Sequence, residues 1–354
     1  MTVDAKYVRC RDGATRWIQE DNLGPAAMKI LVTGSSGHLG EALVRRLRQT
    51  NHEVIGLDLT PSIFTRHQAS VADPAAVAEA IRGVDAVVHT ATLHKPHVAT
   101  HTRQEFVDTN ITGTLNLLEN SVAAGVTRFV YTSTTSAFGD ALIPRPHEPA
   151  AWITEDVADR PKNIYGVTKA AAEDLCELFA RRRGLPCVVL RTSRFFPEAD
   201  DSKDIRDSYA DANAKVNEFL YRRVDLEDVV EAHLRAIERA PDIGFGRYII
   251  SATSPFTVAD LPQLRLDAPA MVAHYVPRYV DEYRRRGWTM FPTIDRVYVN
   301  DRARSELGWQ PRHTFAELIE RLEQDREFRS PLARSVGSKG YHSEVFADGP
   351  YPVE

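Results

Sequence analysis

The segment Ile164-Tyr165-Gly166-Val167-Thr168-Lys169-Ala170-Ala171-Ala172-Glu173 places a tyrosine and a lysine four residues apart at the start of a predicted helix. Side chains at that spacing share one helix face. A phenol has a pKa near 10, so taking a proton from an alcohol at neutral pH needs an environment that favours the phenolate. A lysine ammonium one turn away can supply it through opposite charge. With 12 tyrosines and eight lysines in 354 residues, about 0.3 such pairs arise by chance, so the spacing alone decides nothing.

Other groups point the same way. Thr33-Gly34-Ser35-Ser36-Gly37-His38-Leu39-Gly40 links an apolar strand to an amphipathic helix. Glycines at those offsets permit a tight turn, close backbone approach to a diphosphate and close helix-on-strand packing, while the helix N-terminus offers N–H groups to phosphate. Ser36, His38 and Leu39 lie within that loop. Asp58 ends the next predicted strand, where an acid accepts from ribose hydroxyls and repels a 2′-phosphate. No Lys or Arg stands in the loop, so NAD is expected rather than NADP. Downstream, Tyr131-Thr132-Ser133-Thr134-Thr135-Ser136-Ala137-Phe138-Gly139 ends another strand in a cluster of hydroxyls, and strand C-termini are where such sheets place ligands. Asn110 sits in a helix that can brace the site.

These residues need a scaffold, and the chain reads as one. Short apolar strands (KILVT, EVIGLD, DAVVHTA, RFVYTS, CVVLRTS) alternate with amphipathic helices, which predicts a parallel sheet covered on both faces. The expectation is an α/β Rossmann-type doubly wound sheet over 28–196, completed by parts of 222–252, with a smaller C-terminal substrate-binding lobe over 197–328. Residues 1–27 read as an N-terminal extension that packs on the surface or frays, and 329–354 as an irregular tail. A net charge of −5 without a basic stripe argues against nucleic acid, and no apolar run is long enough to span a bilayer. Cys10, Cys176 and Cys187 lack metal or CxxC spacing and read as isolated reduced thiols of a cytoplasmic protein.

Taken together, the TGxxGxxG loop, the strand-end Asp58, the Ser/Thr cluster and YxxxK resemble the extended short-chain dehydrogenase/reductases, the NAD-dependent epimerase/dehydratase group. The likeness extends through RRVDLEDVVEAHLRA (222–236) to ARSELGWQP (303–311). It implies Tyr165 as general acid/base, Lys169 as the group that lowers its pKa and holds nicotinamide ribose, and Thr134 as the hydroxyl on the substrate alcohol. Thr90, Ala91, Thr92 and Thr132 would line the cofactor, with Asn110 beside it and Ser193 near the nicotinamide. A homodimer through the helices near 103–125 and 164–183 is the group's pattern.

The same resemblance bears on the reaction. Dehydratases of the group carry Asp-Glu after the catalytic Thr, where this chain has Thr135-Ser136, so dehydration and decarboxylation are disfavoured. An epimerase acting on a sugar or nucleotide sugar is the leading reading. The alternatives are a dehydrogenase or reductase of a small sugar, sugar acid or polyol, and a non-catalytic NAD-binding regulator. The group's adenine-contacting Asp-Val step is here Ser70-Val71. Arg194 replaces an Asn and suits a phosphate or carboxylate on the substrate, or an ion pair with Asp200, Asp201 and Asp204. Thr135, Ser136, His94 and Arg223 are further candidate substrate contacts. His94, His97 and His101 could be substrate contacts, loop polar groups or, less in keeping with their spacing, metal ligands; no metal is expected.

Overall fold

The computed structural model describes residues 6–9, 15–18, 27–340, 344 and 346. Strands β1 (Lys6–Arg9) and β2 (Thr15–Ile18) pair antiparallel; the rest of the predicted extension before residue 27, with Cys10, lies outside the described residues.

The main sheet begins with β3 (Lys29–Thr33), which feeds α1 (His38–Leu47), β4 (Glu53–Asp58), β5 (His67–Gln68) and α2 (Pro74–Ala80). The chain then crosses back to β6 (Ala86–His89). A helical stretch follows, made of α3 (Arg103–Phe106), a π-helical turn (Val107–Thr112) and α4 (Gly113–Ala124), before β7 (Arg128–Thr134). The short β8 (Ala151–Ile153) precedes α5 (Ile164–Arg183) and β9 (Cys187–Thr192). After α6 (Lys203–Ser208) and α7 (Asp211–Glu218), α8 (Leu226–Ile243) leads to β10 (Phe245–Ile250). Strand order is β10-β9-β7-β6-β3-β4-β5, and every pair is parallel. The order reverses between β3 and β6, which opens a crevice beyond their C-terminal ends.

Strand alternation explains the two faces. Ile30 and Val32 of β3 point to one side with Val88, Val130 and Leu190, against Leu39, Leu43 and Leu47 of α1 and Val229, Val230 and Ile237 of α8. Leu31 points to the other side with Val87, Phe129 and Val189, against Val77, Leu117, Leu118 and Phe179. Cys176 and Cys187 are buried in this second layer as free thiols.

A second core gathers Val216, Phe219 and Leu220 with side chains from α9 (Leu261–Leu264), α10 (Ala268–Tyr275) and α11 (Tyr279–Arg286). Strand β11 (Arg296–Tyr298) pairs with β8. Next come α12 (Asp301–Glu306), α13 (Phe315–Glu323) and α14 (Pro331–Val336). The last corrects the expectation of an irregular tail. Ser330 caps α14 by accepting from the Ala333 N–H, and Pro331 occupies its first turn, where the missing N–H costs nothing. None of the described helices is long and apolar enough to cross a membrane.

Candidate active site

The crevice is one continuous cleft of about 1250 Å³. That exceeds the roughly 300–1,000 Å³ of a typical single-ligand pocket, so it has room for a dinucleotide and a second molecule. Gly34, Ser36, Gly37, His38, Leu39 and Gly40 line one end, with Asp58, Ser70 and Val71 beside them. Gly34 has φ +68°, and a Cβ at Gly40 would stand 1.9 Å from the Gly34 carbonyl oxygen, so both positions require glycine. Asp58 accepts from the Ser36 N–H (2.9 Å) and the Thr60 N–H (2.8 Å), which fixes its carboxylate at the cleft wall.

At the other end, α5 brings Tyr165 and Lys169 against the end of β7. Asn163 caps this helix through the Gly166 N–H, which sets where its first turn begins. Tyr165 is 7% exposed and Lys169 2%. The Tyr165 phenol stands next to Thr134, whose side chain favours the phenolate, and Thr134 itself accepts from the Ser136 N–H (3.1 Å). Lys169 Nζ donates to the Thr132 carbonyl (2.6 Å) and lies 4.0 Å from the centre of the Tyr131 ring. The Thr132 hydroxyl is bonded to His233 Nε2 (2.8 Å), so α8 holds the residue that holds Lys169.

Burial pushes the Tyr165 phenol up to about 12, against the opposing effect of Thr134, and pulls Lys169 down to about 7 despite Glu173 nearby. Loss of hydration dominates both shifts, and among these side chains Thr134 is the group that opposes the rise at Tyr165. A stability consequence follows. Below about pH 7 the folded chain holds a buried ammonium, whereas the unfolded chain ionises freely up to 10.5. The cost is fully present at low pH and fades as pH rises through that window. Relative to Lys169→Met, wild-type stability should rise between pH 7 and 10 by up to about 1.4 kcal/mol per pH unit. Urea unfolding of both chains at pH 7 and 9 checks it, and a constant difference would contradict the lowered pKa.

Most of the expected residues meet here. Thr90, Ala91, Thr92, Thr132, Ser193, His94, Thr135, Ser136 and Arg194 all line the cleft. Two do not. Asn110 is buried behind the wall, in the π-helical turn, a feature that often marks functional sites. Its Oδ1 accepts from the Leu93 N–H (2.8 Å) and the Thr92 hydroxyl, and its Nδ2 donates to Leu93 O and Thr168 Oγ1 (3.0 Å). It braces the loop after β6 against α5 and does not reach the cleft itself. Arg223 is also withdrawn, bonded to Glu218 (2.8 Å) and the Phe196 carbonyl (3.0 Å).

Arg194 follows its ion-pair reading. One Nη binds Asp200 and Glu218 (2.8 Å), and the other binds Asp201 (2.6 Å). Asp204 has no part in that pairing. The His94 ring stands 5.9 Å from the Tyr165 ring and 6.2 Å from Phe196. Enclosure in the cleft wall, with His97 and Lys169 nearby, holds its pKa down to about 3. The His94 N–H donates to His97 Nδ1 (2.8 Å), and His97 packs on His101 with centroids 5.0 Å apart. Elsewhere, Asp225, Glu227 and His313 bring ligand-type atoms within 4.8 Å of one another. The Asp225 carboxylate already accepts from the Glu227 and Ser330 N–H groups.

Residues 30–250 match the model of the NAD dependent epimerase/dehydratase family. The chain belongs to that family. Its cofactor is NAD. A 3β-hydroxysteroid dehydrogenase/Δ5→4-isomerase of Mycobacterium tuberculosis is 25% identical over 351 residues, covering 82% of this chain and 88% of that protein. The dTDP-glucose 4,6-dehydratase of Escherichia coli is 27% identical over 343 residues, covering 81% and 90%. A dehydratase among the relatives means that Thr135-Ser136 does not set dehydration outside the range of this family member. The solved UDP-N-acetylglucosamine 4-epimerase of Bacillus cereus shares the fold, with a TM-score of 0.59, 21% identity and coverage of 84% of this chain and 98% of that one.

The cleft fits the family's cofactor on its own chemistry. Ser193 Oγ is buried at the wall without a hydrogen-bond partner, as is Glu198 Oε2. The lining also offers the α1 N-terminus to a diphosphate and the Asp58 carboxylate to ribose hydroxyls, the chemistry a dinucleotide needs. Several cleft residues had no signal in the sequence reading. Lys162 lines the cleft from a loop and Arg296 and Tyr298 from β11, with Glu198 and Lys339 at the glycine-loop end. None shares a short motif with the residues it faces.

Proposed function

We propose that this chain transfers hydride between NAD and a secondary alcohol of a carbohydrate-type substrate, with epimerisation as its reaction. The reading rests chiefly on one observation: Tyr165, Thr134 and Lys169, all buried, line the same cleft as the glycine loop. In this mechanism Tyr165 Oη takes the alcohol proton, Thr134 orients that hydroxyl, and Lys169 holds the cofactor ribose. NAD supplies the hydride acceptor and a positive charge that favours the phenolate. Epimerisation returns hydride and proton to the opposite face, which requires the oxidised sugar to turn in place, and the cleft volume leaves room for it.

A second reading is oxidation of a sugar acid, and Arg296 favours it. Its Nη1 donates only to the Gly139 carbonyl (3.2 Å), and no carboxylate pairs with it among the described residues. It therefore has donors for a substrate carboxylate.

The test starts from purified, dialysed protein: denature it, identify released nucleotide by mass, then assay. Bound NAD with interconversion of nucleotide-sugar epimers and no net NADH supports the first reading. NADH accumulating with uronic acids supports the second. If neither occurs, nor any other NAD-linked turnover, hydride transfer is wrong and the non-catalytic NAD-binding regulator takes its place.

A further inference from the structure

The C-terminal segment after α14 reaches back onto the glycine loop. The Ser338 hydroxyl (2.7 Å), the Lys339 N–H (3.0 Å) and the Gly340 N–H (3.2 Å) all donate to Glu198 Oε1. His38, the first residue of α1, is bonded to the same oxygen through Nε2 (2.7 Å). The Lys339 ammonium pairs with Glu41 in the first turn of α1, and Lys339 and Gly340 line the cleft there.

This location matters because the glycine loop contains no lysine or arginine. Its attraction for a diphosphate comes from the α1 N-terminus alone. Among the other cleft cations, Lys162 is paired with Asp140, and Arg296 is bonded to the Gly139 carbonyl after β7. Lys95, Arg194 and Arg222 are paired with Asp201, Asp200 and Glu218, and Lys169 lies on Tyr131. Lys339 is the cation beside the first turn of α1. Glu41 and Glu198 are anions near the same place, but Glu41 is balanced by Arg45 as well as Lys339. Glu198 spends one oxygen on four donors. Its Oε2 is buried and has no hydrogen-bond partner.

We propose that residues 338–340, anchored on Glu198, are a clamp over the diphosphate end of the NAD site, with Lys339 as its cation. The family match ends at residue 250, so this part of the cofactor site belongs to a segment outside it. The proposal rests on the chain being an NAD binder and adds the retention of that cofactor.

Full-length wild type, Lys339→Met and Glu198→Gln are compared by NADH fluorescence, equilibrium and stopped-flow, and by calorimetry with ADP-ribose, across a range of salt. Lys339 is 29% exposed on a terminal segment, so Lys339→Met leaves the fold intact, and matching near-UV dichroism checks this. Expected is an at least about tenfold loss of affinity for both ligands in Lys339→Met, carried by faster NADH release, with a shallower salt dependence. Glu198→Gln should also speed release. Wild type that binds NADH while both variants release it no faster overturns the clamp and leaves NAD binding standing. Wild type that binds neither ligand overturns both.

Discussion

Replacing Tyr165 by Phe should lower turnover by about 10²–10⁴-fold while leaving NADH affinity nearly unchanged. The substitution removes one oxygen from a ring that is 7% exposed and otherwise packed, so the cleft keeps its shape. What disappears is the hydroxyl beside Thr134, the group placed to exchange a proton with the substrate alcohol under the proposed mechanism. Steady-state kinetics with whichever substrate the assays yield, alongside NADH titration, separate the two effects. Undiminished kcat in Tyr165→Phe would remove Tyr165 from the chemistry. Because burial raises this phenol to about 12, wild-type activity should rise towards alkaline pH unless bound cofactor lowers it. The pH profile measured with saturating NAD reads that difference directly.

The largest stability effect is expected at Arg191. Its Nε donates to both Glu173 oxygens (3.1 and 3.0 Å), and its Nη2 to Glu173 Oε2 (2.6 Å) and Asp159 (2.7 Å). The guanidinium also lies 4.8 Å from the Phe138 ring centre. Glu173 is 1% exposed and follows Lys169 by one helical turn, so this pair pins α5 to β9 behind the site. Arg191→Met would leave Glu173 with Ser133 and Arg247 only. Breaking a buried pair from one side costs about 3–5 kcal/mol, most of it the uncompensated charge. Denaturant unfolding should show that loss, and Arg191→Met with Glu173→Leu should recover much of it. If the double variant is no better than the single one, the charge is not the cause.

The local parts of the structure were legible in the sequence. Strand-helix alternation set the parallel sheet, because apolar runs such as KILVT must be buried on both faces. The glycine loop, Asp58, Thr134, Tyr165 and Lys169 were legible because each sits at a fixed offset from a strand end or helix start. Arg194 shows the limit. Its type suited a substrate anion, but Asp200, Asp201 and Glu218 surround it, and Glu218 lies 24 residues away on α7. Asn110 and Arg223 were read towards the cleft, yet a residue number does not say which side of a wall a side chain takes. Arg296 and Lys339 were not singled out, because each meets the cleft through contacts between distant stretches of chain. The Tyr165 and Lys169 protonation states depend on burial, which the spacing of the two residues does not encode.

Residues 338–340 carry a consequence for how the chain is made. The Lys339 backbone nitrogen also lies 3.1 Å from His38 Nε2, across 301 positions of sequence. During synthesis the N-terminal part of a chain emerges and folds first. The crossover from β3 to β6 can thus form, and begin to hold a dinucleotide, while the segment after α14 is still inside the ribosome. The bonds from Ser338, Lys339 and Gly340 to Glu198 can close only once those residues have themselves emerged. Under the proposed clamp, firm loading with cofactor waits until residue 340 has emerged, and a nascent chain stalled short of residue 338 would carry an open, freely exchanging site.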